Sequence, residues 1–119
     1  GWTQNLQIFR NSDAARKFTM YSWGASWMKS GYLDTSVAFD ENDYTMTLIK
    51  YENKLRLYVN NAYVITFEGT IQGVDISSLG SVTVGMSLRG KYKKTVKFSD
   101  WSYSAAESDI TEYMSAHNS

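Results

Sequence analysis

Cysteine and proline are absent from this sequence of 119 residues, and histidine occurs once, at His117. The missing cysteines exclude a disulfide framework, a cysteine-ligated zinc or iron–sulfur site and a thiol nucleophile. A single histidine excludes a multi-histidine metal centre and argues against a histidine-based catalytic triad. These absences together favour a protein that is not an enzyme.

Long apolar runs and an excess of one charge are missing as well. No stretch approaches the roughly 20 apolar residues that cross a bilayer, and no signal-peptide pattern is seen, so we expect no membrane insertion. The 12 Lys and Arg residues balance 12 Asp and Glu residues, whereas binding to nucleic acid normally needs a basic excess. We therefore expect no nucleic-acid partner.

What the sequence does contain is apolar material in a strand-like pattern. Hydrophobic residues make up 43% of the chain and aromatic residues 15%, which suits one core but, at this length, not two. Apolar and polar residues alternate at a period of two as far as residue 104, as is typical of β-strands. We expect a single β-domain over residues 1–104, monomeric in isolation, followed by a weakly helical tail or linker over 105–119.

The clearest alternation predicts strands at residues 17–23, 33–39, 44–50, 55–59, 62–67, 81–88 and 94–103. Turns are predicted at the acidic residues 40–43, at Glu52-Asn53 and at Asn60-Asn61, because Asn tolerates a positive φ. Residues 71–80 are predicted to be irregular, and a β-bulge at Ser99-Asp100 keeps the last strand in phase. The residues assigned to the core are Phe18, Met20, Val37, Phe39, Leu57, Val59, Val82, Val84, Phe98 and Trp101.

Seven or more short strands without crossover helices predict an all-β fold, as an antiparallel two-sheet β-sandwich. An immunoglobulin-like sandwich stays open, on strand count alone. Three segments, YTMTLIKYENKLRLYVNNAYVITFEG, SLGSVTVGMSL and TVKFSDWSYS, resemble the concanavalin-like and laminin-G-like jelly-roll superfamily. Its members have an "lyvNg" hairpin, a "vtvG" strand and a closing "v.F.dw.y" strand. The match covers residues 44–103 and, more loosely, 17–39, and it implies a jelly roll of the carbohydrate-binding module type.

Members of this superfamily are glycosidases or binding modules. The resemblance implies that a glycosidase would carry an E-x-D-x-x-E strand, which holds two carboxyl groups about 5 Å apart for retaining hydrolysis. In this sequence Glu41 and Asp43 are followed by Met46 where the second glutamate is required. We therefore favour a non-catalytic module, and a fragment of a jelly-roll glycoside hydrolase remains an alternative.

Aromatic residues supply the main candidates for ligand binding, since four Trp and nine Tyr exceed what one small core needs. Aromatic rings pack against the C–H faces of sugars while nearby amides and charges bond to the hydroxyls. The rings expected outside the core are Tyr21, Trp23, Trp27, Tyr32, Tyr58 and Tyr63. The alternative for each ring is secondary packing at a rim or under a loop.

Two charged segments add further candidates. Arg89, Lys91 and Lys93 lie in a basic loop that suits hydroxyl or anionic groups of a glycan, although lysines on an edge strand also protect against aggregation. Asp40 and Asp43 offer hard oxygen ligands for a structural calcium ion, and a solvated acidic turn is the alternative. No other cofactor is expected.

These observations favour a lectin-like module that binds a polysaccharide and has no catalytic residues. The resemblance implies that such a module belongs to a larger secreted or cell-surface protein and lies outside the cell. The second hypothesis is a protein-interaction or adhesion domain, in which the same rings form a hydrophobic patch for a partner chain.

Overall fold

The computed structural model describes residues 6–10, 16–22, 28–68, 70–71, 74–75 and 106–117. This part of the chain is mostly β-structure, in agreement with the all-β prediction, and ends in one helix. The strands are β1 (Leu6–Arg10), β2 (Lys17–Ser22), β3 (Met28–Tyr32), β4 (Met46–Tyr51), β5 (Lys54–Val59), β6 (Ala62–Glu68), β7 (Thr70–Ile71) and β8 (Val74–Asp75), and the helix is α1 (Glu107–His117).

The strands form antiparallel sheets in chain order. One sheet has the order β1-β2-β3, the second has the order β4-β5-β6, and β7 pairs with β8. Two tight turns join the strands of the second sheet. Glu52 and Asn53 have φ angles of 53° and 56°, and Asn60 and Asn61 have φ angles of 50° and 62°. Two successive positive φ angles match the right-handed twist of a hairpin, so both predicted turns are confirmed.

One buried cluster joins the two three-stranded sheets. Phe18 and Met20 of β2, both fully buried, meet side chains of β5 and β6 in it. The members of the cluster are Phe18, Met20, Leu33, Leu55, Leu57, Val59, Val64, Ile65 and Phe67. The core predictions for β2 and β5 are therefore confirmed, and Val37 and Phe39 pack against the cluster as half-buried residues. The core residues predicted beyond residue 80 lie outside the described residues.

The two sheets approach each other closely at Gly31 of β3. A Cβ atom added to Gly31 would lie 2.5 Å from the carbonyl oxygen of Val64 and 2.9 Å from the Cβ of Ile65, both in β6. Only a residue without a side chain allows the backbones of β3 and β6 to come this near. This contact sets how the β2–β3 hairpin sits against the second sheet.

The strand predicted over residues 33–39 is wrong, because this segment is a loop. Ser36 N–H donates to Asp34 Oδ1 at 2.7 Å, which forms a local turn and lowers the pKa of that carboxyl group. The guanidinium of Arg16 donates to the carbonyl oxygens of Asp34 and Val37, both at 2.8 Å. Two backbone bonds add to these contacts, from Leu33 N–H to the carbonyl oxygen of Arg16 at 2.8 Å and from Val37 N–H to that of Asp34 at 3.1 Å. The loop thus satisfies its backbone through side chains and local bonds. The strand in this region is β3, over residues that no predicted strand covered.

The remaining strand predictions have mixed outcomes. Residues 44–50, 55–59 and 62–67 correspond to β4, β5 and β6 with small shifts at their ends. Residues 71–80 are not wholly irregular, because β7 and β8 pair with each other there. The strands predicted at 81–88 and 94–103, with the bulge between Ser99 and Asp100, lie outside the described residues. The tail contains a regular α-helix.

Candidate functional site

Tyr32 is the most exposed of the large hydrophobic residues that the structure describes, at 63%. It is the last residue of β3, and the register pairs it with Lys17 at the start of β2. The Lys17 Nζ atom lies 5.9 Å from the centroid of the Tyr32 ring, within the range of a cation–π contact. The pair therefore offers an open ring with a hydrogen-bond donor beside it.

The next row on the same face of the hairpin consists of hydroxyl groups. Thr19 pairs with Ser30 in the register, and their Oγ atoms lie 2.8 Å apart. Thr19 is buried at 1% exposure, whereas Ser30 is exposed. Among the described residues of this face, the exposed side chains Ser30 and Tyr32 therefore both belong to β3.

The other predicted rings near this hairpin are Tyr21, Trp23 and Trp27. Tyr21 is in β2 and pairs with Met28, the first residue of β3. Trp23 directly follows β2 and Trp27 directly precedes β3 in the sequence. Both tryptophans, and the side chain of Tyr21, lie outside the described residues. In the sequence, four of the predicted rings thus fall within β2 and β3 or directly beside them.

Tyr63 belongs to the other sheet, in β6. Its side chain is half-buried, its hydroxyl shares a hydrogen bond of 2.7 Å with Thr66 Oγ1, and its ring centroid lies 5.9 Å from that of Tyr58. Tyr63 and Tyr32 therefore do not share one sheet face. The sequence named both as outward rings, because alternation shows which residues point outward but not which sheet they join.

Of the charged candidates, the structure describes the two aspartates but not the three basic residues. Arg89, Lys91 and Lys93 lie outside the described residues. Asp40 and Asp43 are exposed in the acidic turn, and Asp40 Oδ1 accepts the N–H of Asn42 at 2.8 Å. In the part of the chain that the structure describes, no three acidic or histidine side chains come together as metal ligands. The calcium interpretation of this turn stays a prediction from the sequence.

Tyr58 was expected to point outward to solvent, and this expectation is wrong. The residue is fully buried, at 0% exposure. Three rings surround it, since the centroids of Tyr63, Tyr113 and His117 lie 5.9, 5.0 and 6.5 Å from its own. Two of these rings come from helix α1, more than 50 residues further along the chain.

Helix α1 covers this region with one of its faces. Acidic residues in its first turn and His117 in its last turn suit the helix dipole. Its half-buried side chains recur at the three- and four-residue spacing of an amphipathic helix, and they are Ile110, Thr111, Tyr113, Met114 and His117. That spacing, visible in the sequence, was the signal that this segment has a packed side.

Two hydrogen bonds attach α1, one at its first residue and one near its middle. The Tyr51 hydroxyl donates to Glu107 Oε1 at 3.0 Å, and the Tyr113 hydroxyl donates to Asn61 Oδ1 at 3.1 Å. The bond to Glu107 is the main cause that raises the pKa of Tyr51, because it stabilises the protonated phenol. Both bonds are exposed, so solvent competes with them.

A row of apolar side chains lies on strand β4 and just before it. Tyr44, Met46 and Leu48 are 36%, 42% and 39% exposed. Met46 and Leu48 pair with Val59 and Leu57, which places them on the core-facing side of the sheet although they are open to solvent. Scattered exposed apolar residues are ordinary, but a contiguous row is a common feature of interaction surfaces.

Within the described part of the chain, no helix is long and apolar enough to span a membrane. No protein-family model, no curated protein and no solved structure matches this chain. The concanavalin-like resemblance therefore remains an interpretation of the sequence, and the case for a function depends on the residues of the site.

Proposed function

We propose that this chain is a non-catalytic carbohydrate-binding module whose ligand surface lies on the β2–β3 hairpin. The observation that carries the proposal is the open ring of Tyr32 with the ammonium group of Lys17 beside it. An exposed ring that is flanked by hydrogen-bond donors suits a pyranose, because the ring packs on C–H groups and the donors bind hydroxyls. The exposed hydroxyl of Ser30 adds a donor and acceptor on the same face.

The length of the hairpin suits a ligand of several sugars. Tyr21 pairs with Met28, four residues from Tyr32 in β3, which corresponds to about 13 Å along an extended strand. Trp23 and Trp27 follow at that end in the sequence. A single sugar would not reach both ends, so a polysaccharide chain that lies along the hairpin is the proposed ligand.

The proposal includes the finer architecture and the setting of the module. Two antiparallel sheets that share one buried cluster and approach closely at Gly31 support a jelly-roll sandwich. A module of this kind would belong to a larger secreted or cell-surface protein. The basic residues Arg89, Lys91 and Lys93 would then select among neutral and anionic glycans.

Native affinity gels that contain neutral β-glucans, pectate or sulfated polymers test this proposal. We expect the wild type to be retarded by at least one polymer, and Tyr32→Ala to bind it about two- to tenfold more weakly because the stacked ring is lost. Tyr32→Phe keeps the ring and should bind nearly as the wild type does. Retardation only by the anionic polymers, abolished by salt, would assign the binding to the basic loop.

Tyr44 provides the matched control, since it is an exposed tyrosine in the loop before β4, where its ring packs against Phe18 and Phe39. Tyr44→Ala should leave the retardation unchanged. If no polymer retards the wild type, or if Tyr32→Ala and Tyr44→Ala lower binding equally, the hairpin is not a glycan surface.

A protein-interaction or adhesion domain is the second candidate, and the exposed row of Tyr44, Met46 and Leu48 favours it. Such a surface would bury these side chains against a partner chain. Sedimentation of the wild type and of Leu48→Lys separates the two functions. Self-association that Leu48→Lys abolishes, with no glycan retention, would support the second candidate over the first.

A further inference from the structure

The face of the second sheet that lies opposite the buried cluster is rich in tyrosine. Tyr58 of β5 pairs with Tyr63 of β6, and Tyr51 of β4 pairs with Lys54, which has the same parity as Tyr58. These three tyrosines therefore project from one side of the sheet, which we call the tyrosine face. The core residue Leu57 points to the other side.

Polar groups lie between the rings of the tyrosine face. Arg56 is on the same side of β5, and its Nη1 atom donates to the carbonyl oxygen of Tyr51 at 3.2 Å. Lys54 and Glu68 form a register pair with an exposed ion pair of 3.8 Å at the edge. Flat rings with a few charged donors among them are what a sugar site requires.

Helix α1 now covers this face, but its attachment is slight. No residue of the helix is fully buried, and the rings that it places against Tyr58 are those of Tyr113 and His117, with centroids 5.0 and 6.5 Å from that of Tyr58. The hydrogen bonds from Tyr51 to Glu107 and from Tyr113 to Asn61 are both exposed. A helix of 11 residues is too short to be stable in water without such packing.

An element with few buried contacts and exposed hydrogen bonds opens by local unfolding well before the whole domain does. Opening of α1 removes the rings of Tyr113 and His117 from Tyr58 and leaves the three tyrosines beside Arg56 and the apolar Ile49, which pairs with Arg56 on the same face. We propose that α1 is a displaceable cover over a second glycan-binding surface, the tyrosine face. This inference takes the class of ligand, a glycan, from the proposed function. It adds a second binding site and a means of regulating that site.

The test uses the full chain with Tyr113→Ala, which removes the ring contact with Tyr58 and the bond to Asn61. We expect hydrogen exchange of the amides in residues 107–117 to accelerate about tenfold or more, since a ring pair and a hydrogen bond are lost. We also expect retention in glycan affinity gels to increase above that of the wild type. Tyr63→Ala in the Tyr113→Ala background should remove this increase.

Glu112→Ala is the control, because Glu112 is exposed on the same helix and alanine favours the helix. It should change neither hydrogen exchange nor retention. Glu107→Ala is a milder second release variant that removes the bond from Tyr51 and one of the two acidic side chains in the first turn of the helix. It should reproduce the effect of Tyr113→Ala at smaller amplitude.

The outcomes separate this inference from the proposed function. Faster exchange of α1 without a gain in glycan retention overturns the cover and leaves the hairpin site standing. A gain that depends on Tyr63, in a protein whose wild type is not retarded, supports the cover and refutes the hairpin site. If the amides of α1 exchange only by global unfolding, or if both release variants fail to fold, the helix is an integral element and the inference is wrong.

Discussion

Replacement of Gly31 by alanine tests the contact that joins the two sheets. The added Cβ would lie 2.5 Å from the carbonyl oxygen of Val64, whereas carbon and oxygen atoms in contact normally lie at least about 3.3 Å apart. The strands would have to separate by about 0.8 Å to relieve the overlap. The obstacle on β6 includes backbone, so rotation of a side chain cannot remove it.

The expected cost follows from this overlap. Forcing an extra carbon into a well-packed contact costs about 1–3 kcal/mol, and the reduced freedom of the unfolded chain offsets about 0.4–1 kcal/mol of it. We expect Gly31→Ala to lower the free energy of unfolding by about 1–2 kcal/mol. For a domain of this size, that change corresponds to a fall in Tm of about 4–8 °C.

Thermal unfolding followed by circular dichroism, with urea denaturation as a second measure, checks this prediction. Lys29→Ala is the control on the same strand, because Lys29 is exposed, and its effect should stay within about 0.5 kcal/mol. Gly31→Val, which is bulkier, should destabilise further. A Tm for Gly31→Ala that equals or exceeds that of the control would refute the close approach of β3 and β6.

Three further predictions concern the core, a turn and the helix contact. Phe18 is fully buried, so Phe18→Ala should cost about 3–5 kcal/mol of unfolding free energy in urea denaturation, and a cost below about 1 kcal/mol would contradict the core assignment. Asn60 has a φ of 50° and its Oδ1 accepts the N–H of Thr45 at 3.0 Å, so Asn60→Ala should lose about 1–3 kcal/mol by the same measurement. Asn60→Gly, which tolerates this φ, should lose less, and equal losses would rule out a contribution from backbone strain. The pKa of Tyr51 is raised above the usual value of about 10, chiefly by its bond to Glu107. Because the folded-state pKa is the higher one, this bond stabilises helix docking fully below about pH 10 and is lost as the pH rises through the raised value. A helical circular dichroism signal that falls over this alkaline window in the wild type, with no such step in Tyr51→Phe, is the expected result, and identical curves would exclude the contact.

The β5–β6 hairpin shows what local sequence is able to predict. Alternation in residues 55–59 and 62–67 defines two strands, and Asn60-Asn61 supplies the turn between them because both positions need a positive φ. Every part of this interpretation depends on residues that are neighbours in the chain. The same holds for β2, where Phe18 and Met20 alternate into the core.

The loop after β3 shows why other predictions failed. Leu33, Val37 and Phe39 have strand-like spacing, and their side chains do reach or approach the core. A local turn at Asp34 and the guanidinium of Arg16 hold the backbone instead of a paired strand. Alternation predicts the direction of side chains, but it does not show whether another strand is present to accept the backbone hydrogen bonds.

For the candidate site as well, the sequence predicted some residues correctly and others not. Tyr32 was selected from the sequence as an outward ring, and its exposure of 63% is consistent with that role. Tyr58 was selected for the same reason but is covered by Tyr113 and His117 of α1. The sequence treats the two tyrosines alike, since Tyr58 is off the predicted core side of its strand and Tyr32 precedes the strand predicted at 33–39.

The sequence by itself determined the mostly-β class, the positions of the tight turns and the side of each strand that carries apolar residues. Those properties follow from φ preferences and from the period of two, which act over a few residues. Tertiary structure decided which outward faces stay open, that β3 rather than residues 33–39 forms the third strand, and that a distant helix lies on the tyrosine face. These outcomes depend on contacts between residues far apart in the chain, such as Gly31 with Val64 and Tyr58 with Tyr113. A pattern over a few neighbouring residues does not show which distant segment will pack against them.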